Sequence, residues 1–246
     1  MRRFWELVLA VQFLTIIPVS VPSRWTTRAH LRASAAWYPL VGAGLGLALW
    51  GTGWALTDLP ALPRAVAMLI VYTGLTGGLH LDGLMDTVDA LGSRAPREQA
   101  LAIMKDSRVG ALGAVAGLLS LLAKAALFSA WTRMPPASFV LVPAVARLAL
   151  LWAMGWSPPP TGAGSLGAVY ARAVRLWVPA GWTVVLALTA WWQGSGVAGP
   201  LVVGLGGVTA WLFVRAMVRR FGAMTGDTYG ALNELVEVLG WYVALG

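Results

Sequence analysis

The segment "HLDGLMDTVDALG", His80 to Gly92, places one histidine and three aspartates in a chain that carries few charges. Asp82, Asp86 and Asp89 are spaced by four and three residues, so on a helix their carboxylates share one face. Three like charges so close repel one another unless cations neutralise them. The oxygen-only donor set suits a hard ion such as Mg²⁺, which binds through one or two carboxylates plus substrate phosphates. His80, two residues before Asp82, lies off that face unless Gly83 breaks the turn. It either orients a carboxylate, donates to a phosphate oxygen or serves as acid or base.

Two further segments carry chemistry. In "MKDSRVGALG", Met104 to Gly113, Lys105 and Arg108 are cations suited to phosphate, Arg108 through a bidentate fork. Ser107 and the free N–H groups at the start of the next helix can hold an anion, and Asp106 either adds a metal ligand or orients Arg108. The plainer reading is a basic loop flank with an Asp/Ser helix cap. In "MTGDTYGALNELVE", Met224 to Glu237, the acids Asp227, Glu234 and Glu237 fall seven and three residues apart and point roughly one way, with Asn233 adjacent. Glutamates inside a span need a cation, a partner or a water-filled cavity. This face therefore either binds an ion, with Glu234 among its ligands, or pairs with Lys124 or Arg147, the two basic residues inside spans. Arg147 in turn either meets one of these acids or reaches a substrate phosphate.

The elements that must position these groups are membrane helices. Of 246 residues 58% are hydrophobic and only 11% charged, and the mean hydropathy is +0.72, too apolar for a soluble domain. Apolar stretches at Ala35 to Leu56, Ala65 to Leu81, Val109 to Trp131, Ala137 to Trp156, Leu176 to Trp192 and Gly199 to Met217 are each long enough to cross a bilayer core. A more polar helix is expected from Thr228 to Leu245. Phe4 to Val19 follows two arginines as a signal peptide would, but no small-residue cleavage site follows it, so it is expected to be a retained interfacial or re-entrant helix. The expected architecture is an all-α polytopic bundle of about seven transmembrane helices plus that N-terminal helix, in a single integral-membrane domain spanning residues 1–246.

Charge sets the orientation. Arg24, Arg28 and Arg32, then Arg94, Arg97, Lys105 and Arg108, then Arg172 and Arg175, and finally Arg219 and Arg220 mark four cytoplasmic loops, whereas the alternate connections carry Arg64, Arg133 or, at "QGSGVAGP", no charge. This accounts for the net charge of +8 without nucleic acid as a partner. The polar stretch Asp82 to Arg108 and the segment "SPPPTGAGSLG" fall on that same cytoplasmic side. With no cysteine, disulfides, thiolate metal sites and thiol nucleophiles are excluded. Most of the fourteen tryptophans, among them Trp37, Trp54, Trp131, Trp156, Trp177, Trp191, Trp192 and Trp241, stand near span ends as interfacial anchors. Gly42, Gly44 and Gly46 in "VGAGLG" suit close helix packing rather than a dinucleotide fingerprint, which needs a preceding strand.

Together, "HLDGLMDTVDAL", "AIMKDSRVGALG" and "TGDTYGALNELVE", in this order and with "QFLTIIPV" and "YPLVGAGLG", resemble the cobalamin synthase, or adenosylcobinamide-GDP ribazoletransferase, family over essentially the whole chain. The resemblance implies a multi-pass enzyme of the inner (cytoplasmic) membrane with its active site toward the cytoplasm. It would use Mg²⁺ to join adenosylcobinamide-GDP to α-ribazole or its 5′-phosphate with release of GMP. Its partners would be these small molecules and membrane lipid, with oligomerisation left open. Residues and resemblance together assign His80, Asp82, Lys105 and Arg108 to catalysis and Asp82, Asp86, Asp89, Asp106 and Glu234 to metal. Ser107, Arg147, Asp227, Asn233 and Glu237 are assigned to ligand contacts. Two other readings compete. A CDP-alcohol-type phosphotransferase acting on lipid shares the spaced aspartates, but its pattern continues with Ala-Arg and two more aspartates that this chain lacks. A cation-coupled transporter would show inverted repeats and acids near the midplane.

Overall fold

The computed structural model describes residues 1–159, 169–170, 172, 174–192 and 198–246. Most of "SPPPTGAGSLG" and of "QGSGVAGP" lies outside these residues. Among them the secondary structure is helical, with no strand: α1 Arg2–Leu14, α2 Arg28–Ser34, α3 Tyr38–Ala55, α4 Ala61–Thr76, α5 Leu79–Gly92, α6 Arg97–Ile103, α7 Ala111–Ser129, α8 Pro136–Trp156, α9 Trp177–Trp192, α10 Ala198–Phe221 and α11 Gly226–Leu245. Of the six expected apolar stretches five become helices, and the sixth, Ala65 to Leu81, is broken at Gly77 and Gly78. By length and composition four segments can cross a membrane, Arg28–Ala55, Ala111–Ser129, Pro136–Trp156 and Ala198–Phe221, or five if α4 and α5 form one broken span. At 16 residues α9 is shorter than a typical span, and α11 is too polar along its length, so neither meets that criterion.

The core of the bundle is α8, which packs on α3, α9, α10 and α11. Pro143 inside α8 has no N–H, which leaves the Phe139 carbonyl without its usual helical donor. Here α3 comes closest: a Cβ on Gly46 would overlap the Phe139 carbonyl, and one on Gly42 the Pro143 carbonyl. Gly44 faces open space and plays no part in this contact, contrary to the packing role expected for all three glycines.

The "TGG" at Thr76 to Gly78, just before the acidic stretch, is a hinge. Gly77 and Gly78 both take left-handed backbone, φ +61° and +69°, which glycine adopts without penalty. The chain turns by 86° there between α4 and α5. The end of α1 braces this hinge, with Ile16 N–H donating to the Leu75 carbonyl at 2.9 Å.

The four basic loops gather at one end of the bundle. Arg32 donates to the Val169 carbonyl at 2.7 Å, and Arg220 to the Ala95 carbonyl at 2.6 Å. At the other end Arg64 lies over the Trp131 ring, 5.2 Å from its centre. Trp54, Trp177, Trp191 and Trp192 are exposed at helix ends, as anchors should be. Trp241 is the exception: it is fully buried, edge-on to Phe128 at 5.3 Å, and belongs to the core.

Candidate active site

The site is built where α5 crosses the start of α11. Gly83 and Gly230 face each other at this crossing; a Cβ on Gly83 would sit 2.7 Å from the Asp227 carbonyl oxygen, and one on Gly230 3.1 Å from that of His80. The glycines let the two backbones touch, and this contact sets Asp227 among the aspartates of α5. Asp86 lies within electrostatic reach of Asp82, Asp227 and Asp89. The expected shared face is thus a rim of four acids, the fourth supplied by a different helix. Asp82 is exposed, and Asp86, Asp89 and Asp227 are half-buried. Among the described residues none of the four makes an ion pair, and no three carboxylate or imidazole groups are placed so that they could hold a metal ion by themselves.

Asp89 has a further job. Its carboxylate accepts from the N–H groups of Gly110 and Gly113, each at 2.8 Å, at the start of α7. Two of the N–H groups at this helix start, those of Gly110 and Gly113, are therefore engaged by an anion from the protein itself.

The loop from Lys105 to Arg108 is held to the site by its first neighbour. Thr225 caps α11, accepting from Thr228 N–H at 3.2 Å, and its hydroxyl meets Met104 Sδ at 3.1 Å. This brings Lys105 within electrostatic reach of Asp227. Asp106 takes the orienting role rather than joining the rim. Its Oδ1 accepts from the Arg108 N–H and Nε, both at 3.0 Å, and its Oδ2 from Nη2 at 2.6 Å. The guanidinium hydrogen bonds hold the Asp106 carboxyl at about 2, below the usual range. Arg108, Lys105 and Ser107 are exposed, so Arg108 keeps one amino group for an incoming anion.

Deeper in the bundle lies a second polar group. Glu237 is completely buried and receives four donors. Tyr72 Oη at 2.5 Å, Asn233 Nδ2 at 3.2 Å and the Arg147 guanidinium meet Oε1, while Lys124 Nζ meets Oε2 at 2.6 Å. Lys124 also pairs with Glu234 at 2.9 Å, and Ser120 Oγ donates to Glu234 at 2.8 Å. Two bases and two acids make a neutral set. Of the two roles open to Glu234, Glu237 and Arg147, the structure takes mutual pairing with Lys124, and Glu234 stands apart from the rim acids. Asn233 is fully buried within the same set.

His80 joins the two groups. Its Nδ1 lies 3.4 Å from Arg147 Nη2. A guanidinium only donates, so Nδ1 is the acceptor and the neutral ring carries its proton on Nε2. The ring lines a cavity of about 100 Å³ together with Asp82 and Asp227. The aromatic residues Phe13, Tyr38 and Tyr170 on its far wall were not singled out from sequence, since each sits in a different segment with no shared spacing.

The family model described as cobalamin-5-phosphate synthase matches residues 6–245. An adenosylcobinamide-GDP ribazoletransferase of Desulforamulus reducens is 37% identical over 244 residues, covering 98% of this chain and 96% of the relative. Those of Stutzerimonas stutzeri and Ectopseudomonas mendocina are 41% and 40% identical, covering 94% and 93% of each chain respectively. No solved structure matches. The acidic rim, the cationic loop and the capped start of α11 lie within the matched residues, and the chain belongs to the cobalamin-5-phosphate synthase family.

Proposed function

We propose that this chain is a Mg²⁺-dependent adenosylcobinamide-GDP ribazoletransferase of the inner membrane, with seven crossings by α3, α4, α7, α8, α9, α10 and α11 and its site toward the cytoplasm. The observation that carries the reading is the rim of Asp82, Asp86, Asp89 and Asp227: four carboxylates without an ion pair, beside a loop offering Lys105 and Arg108. Repelling carboxylates with no complete cage of their own suit an ion whose coordination substrate phosphates finish. Asp86 and Asp227 would hold Mg²⁺, with Asp89 held back by its two amide partners and Asp82 left free to act on the substrate. The ion would supply charge neutralisation at the pyrophosphate.

The protein's own groups divide the remaining work. A ribazole hydroxyl oxygen bonds to the phosphorus attached to cobinamide. The bond from that phosphorus to the bridging oxygen breaks, and GMP leaves with that oxygen. The hydroxyl proton passes to a rim carboxylate, Asp82 being the exposed one that lines the cavity. Arg108 and Lys105 offset charge on the phosphates, and His80, protonated on Nε2, donates to an oxygen rather than accepting the proton. The transporter reading is weakened because Lys124 and Arg147 neutralise Glu234 and Glu237, which leaves no free intramembrane acid for a coupling ion among the described residues. The test is release of GMP from adenosylcobinamide-GDP and α-ribazole by purified protein with Mg²⁺. No release, or turnover of a CDP-activated lipid instead, rejects the reading.

A further inference from the structure

The cavity beside His80 has two unlike ends. At one stand His80, Asp82 and Asp227. The other is aromatic: Phe13 and Tyr38 stack with ring centres 5.8 Å apart and planes within 10°, and Tyr170 tilts against Phe13 at 5.7 Å. Leu150 and Met154 of α8 close the side, both buried. The two tyrosine hydroxyls at this end bond to each other at 3.0 Å, Tyr38 donating, so Tyr170 keeps a proton to offer a ligand.

We propose that this cavity binds the flat aromatic base of the nucleoside substrate and points its sugar hydroxyl at Asp82 and Asp227; the inference rests on the ribazoletransferase reading. Stacked rings and aliphatic walls favour a planar apolar ring system. A guanine with several polar edges, or a phosphate, would leave its hydrogen-bonding groups unmet there. The Tyr170 hydroxyl suits one ring nitrogen, and the Tyr229 hydroxyl, which lines the same cavity, can meet a second polar group of the nucleoside. The volume of about 100 Å³ excludes a macrocycle. Bulk is accommodated next door, in an open groove of about 530 Å³ lined by Ile16, Leu81 and Met85 that shares Phe13, Leu79 and Asp82 with the cavity. Asp82 therefore stands at the junction of a small aromatic chamber and a large open one. A carboxylate that takes a proton from one substrate as it joins the other belongs at such a junction.

The experiment uses the full-length protein in detergent or nanodiscs. An azidobenzimidazole photoprobe should label peptides containing Phe13, Tyr38 or Tyr170, and excess α-ribazole should block the labelling. Labelling elsewhere, or labelling blocked by phospholipid but not by α-ribazole, overturns the site. In parallel, Met154→Trp, which fills the chamber, and Tyr38→Leu, which removes the stack from a position that does not line the groove, should raise KM for α-ribazole at least tenfold while KM for adenosylcobinamide-GDP stays within twofold. That second constant also reports that the variant is folded. Variants that release GMP with both constants unchanged overturn the site. The reading beneath it is checked separately: unmutated protein that releases GMP but takes the label outside the cavity rejects the site alone, whereas unmutated protein that releases no GMP rejects the ribazoletransferase reading.

Discussion

Helix α11 carries acids of two kinds, about 10 to 15 Å apart along its axis. Asp227 at its start joins three aspartates of α5 in a cluster that, among the described residues, has no cationic partner at ion-pair distance. Glu234 and Glu237 further along are surrounded by Lys124, Arg147, Tyr72 and Ser120. The same residue types thus serve opposite ends. Charge left unsatisfied at the edge of the bundle is a binding capacity, whereas charge satisfied inside it is a fastening between α4, α7, α8 and α11. The difference shows why carboxylates in a membrane protein cannot all be read as ligands: their partners decide, and the partners come from distant segments.

The comparison breaks most visibly from the buried side. Glu237→Gln leaves Lys124 and Arg147 with one acid between them, and removing one member of such a set destabilises by about 3–5 kcal/mol. A large fall in the thermal midpoint of the purified protein is the expected result. Lys124→Met paired with Glu234→Gln keeps the set neutral, and should recover part of what Lys124→Met alone loses. Next in size is Gly83→Ala. Its Cβ meets the Asp227 carbonyl oxygen at 2.7 Å, so α5 and α11 must separate, at about 1–3 kcal/mol and with a large loss of GMP release. Gly44→Ala, facing open space, should leave the midpoint unchanged or raise it slightly.

The rim should respond in the opposite sense. Asp86→Asn removes a charge that three acids repel, so the midpoint holds or rises while activity falls. The smallest effect concerns acid. The Asp106 carboxyl is held at about 2, below its ordinary 3.8, so its pairing with Arg108 is fully present above about pH 4 and fades only as pH falls toward 2. Between pH 5 and 8 the rate should show no inflection that Asp106→Asn removes.

Much of this arrangement was legible from sequence. Uninterrupted apolar stretches gave the helices, positive charges gave the common end at which Arg32, Arg220 and Met104 make their contacts, and the spacing of four and three put Asp82, Asp86 and Asp89 on one side. What stayed hidden depends on contacts between segments. Spacing along α5 cannot tell that Asp89 caps α7, because its amide partners lie 21 and 24 residues away. Nor can it tell that Asp227 joins the rim, which the Gly83–Gly230 contact decides. Trp241 looked like an anchor because it stands near the end of a helix, but Phe128 and Phe139 enclose it from two other helices. The aromatic chamber had no sequence signature, since its walls come from α1, α3, α8 and Tyr170.

The division between rim and interior is tested most directly by titrating Mg²⁺ against GMP release for Asp86→Asn and Glu234→Gln side by side with the unmutated chain. The account predicts that Asp86→Asn raises the Mg²⁺ concentration for half-maximal activity at least tenfold, and that Glu234→Gln lowers the thermal midpoint but leaves that concentration in place. A shifted Mg²⁺ requirement in Glu234→Gln with none in Asp86→Asn would contradict it.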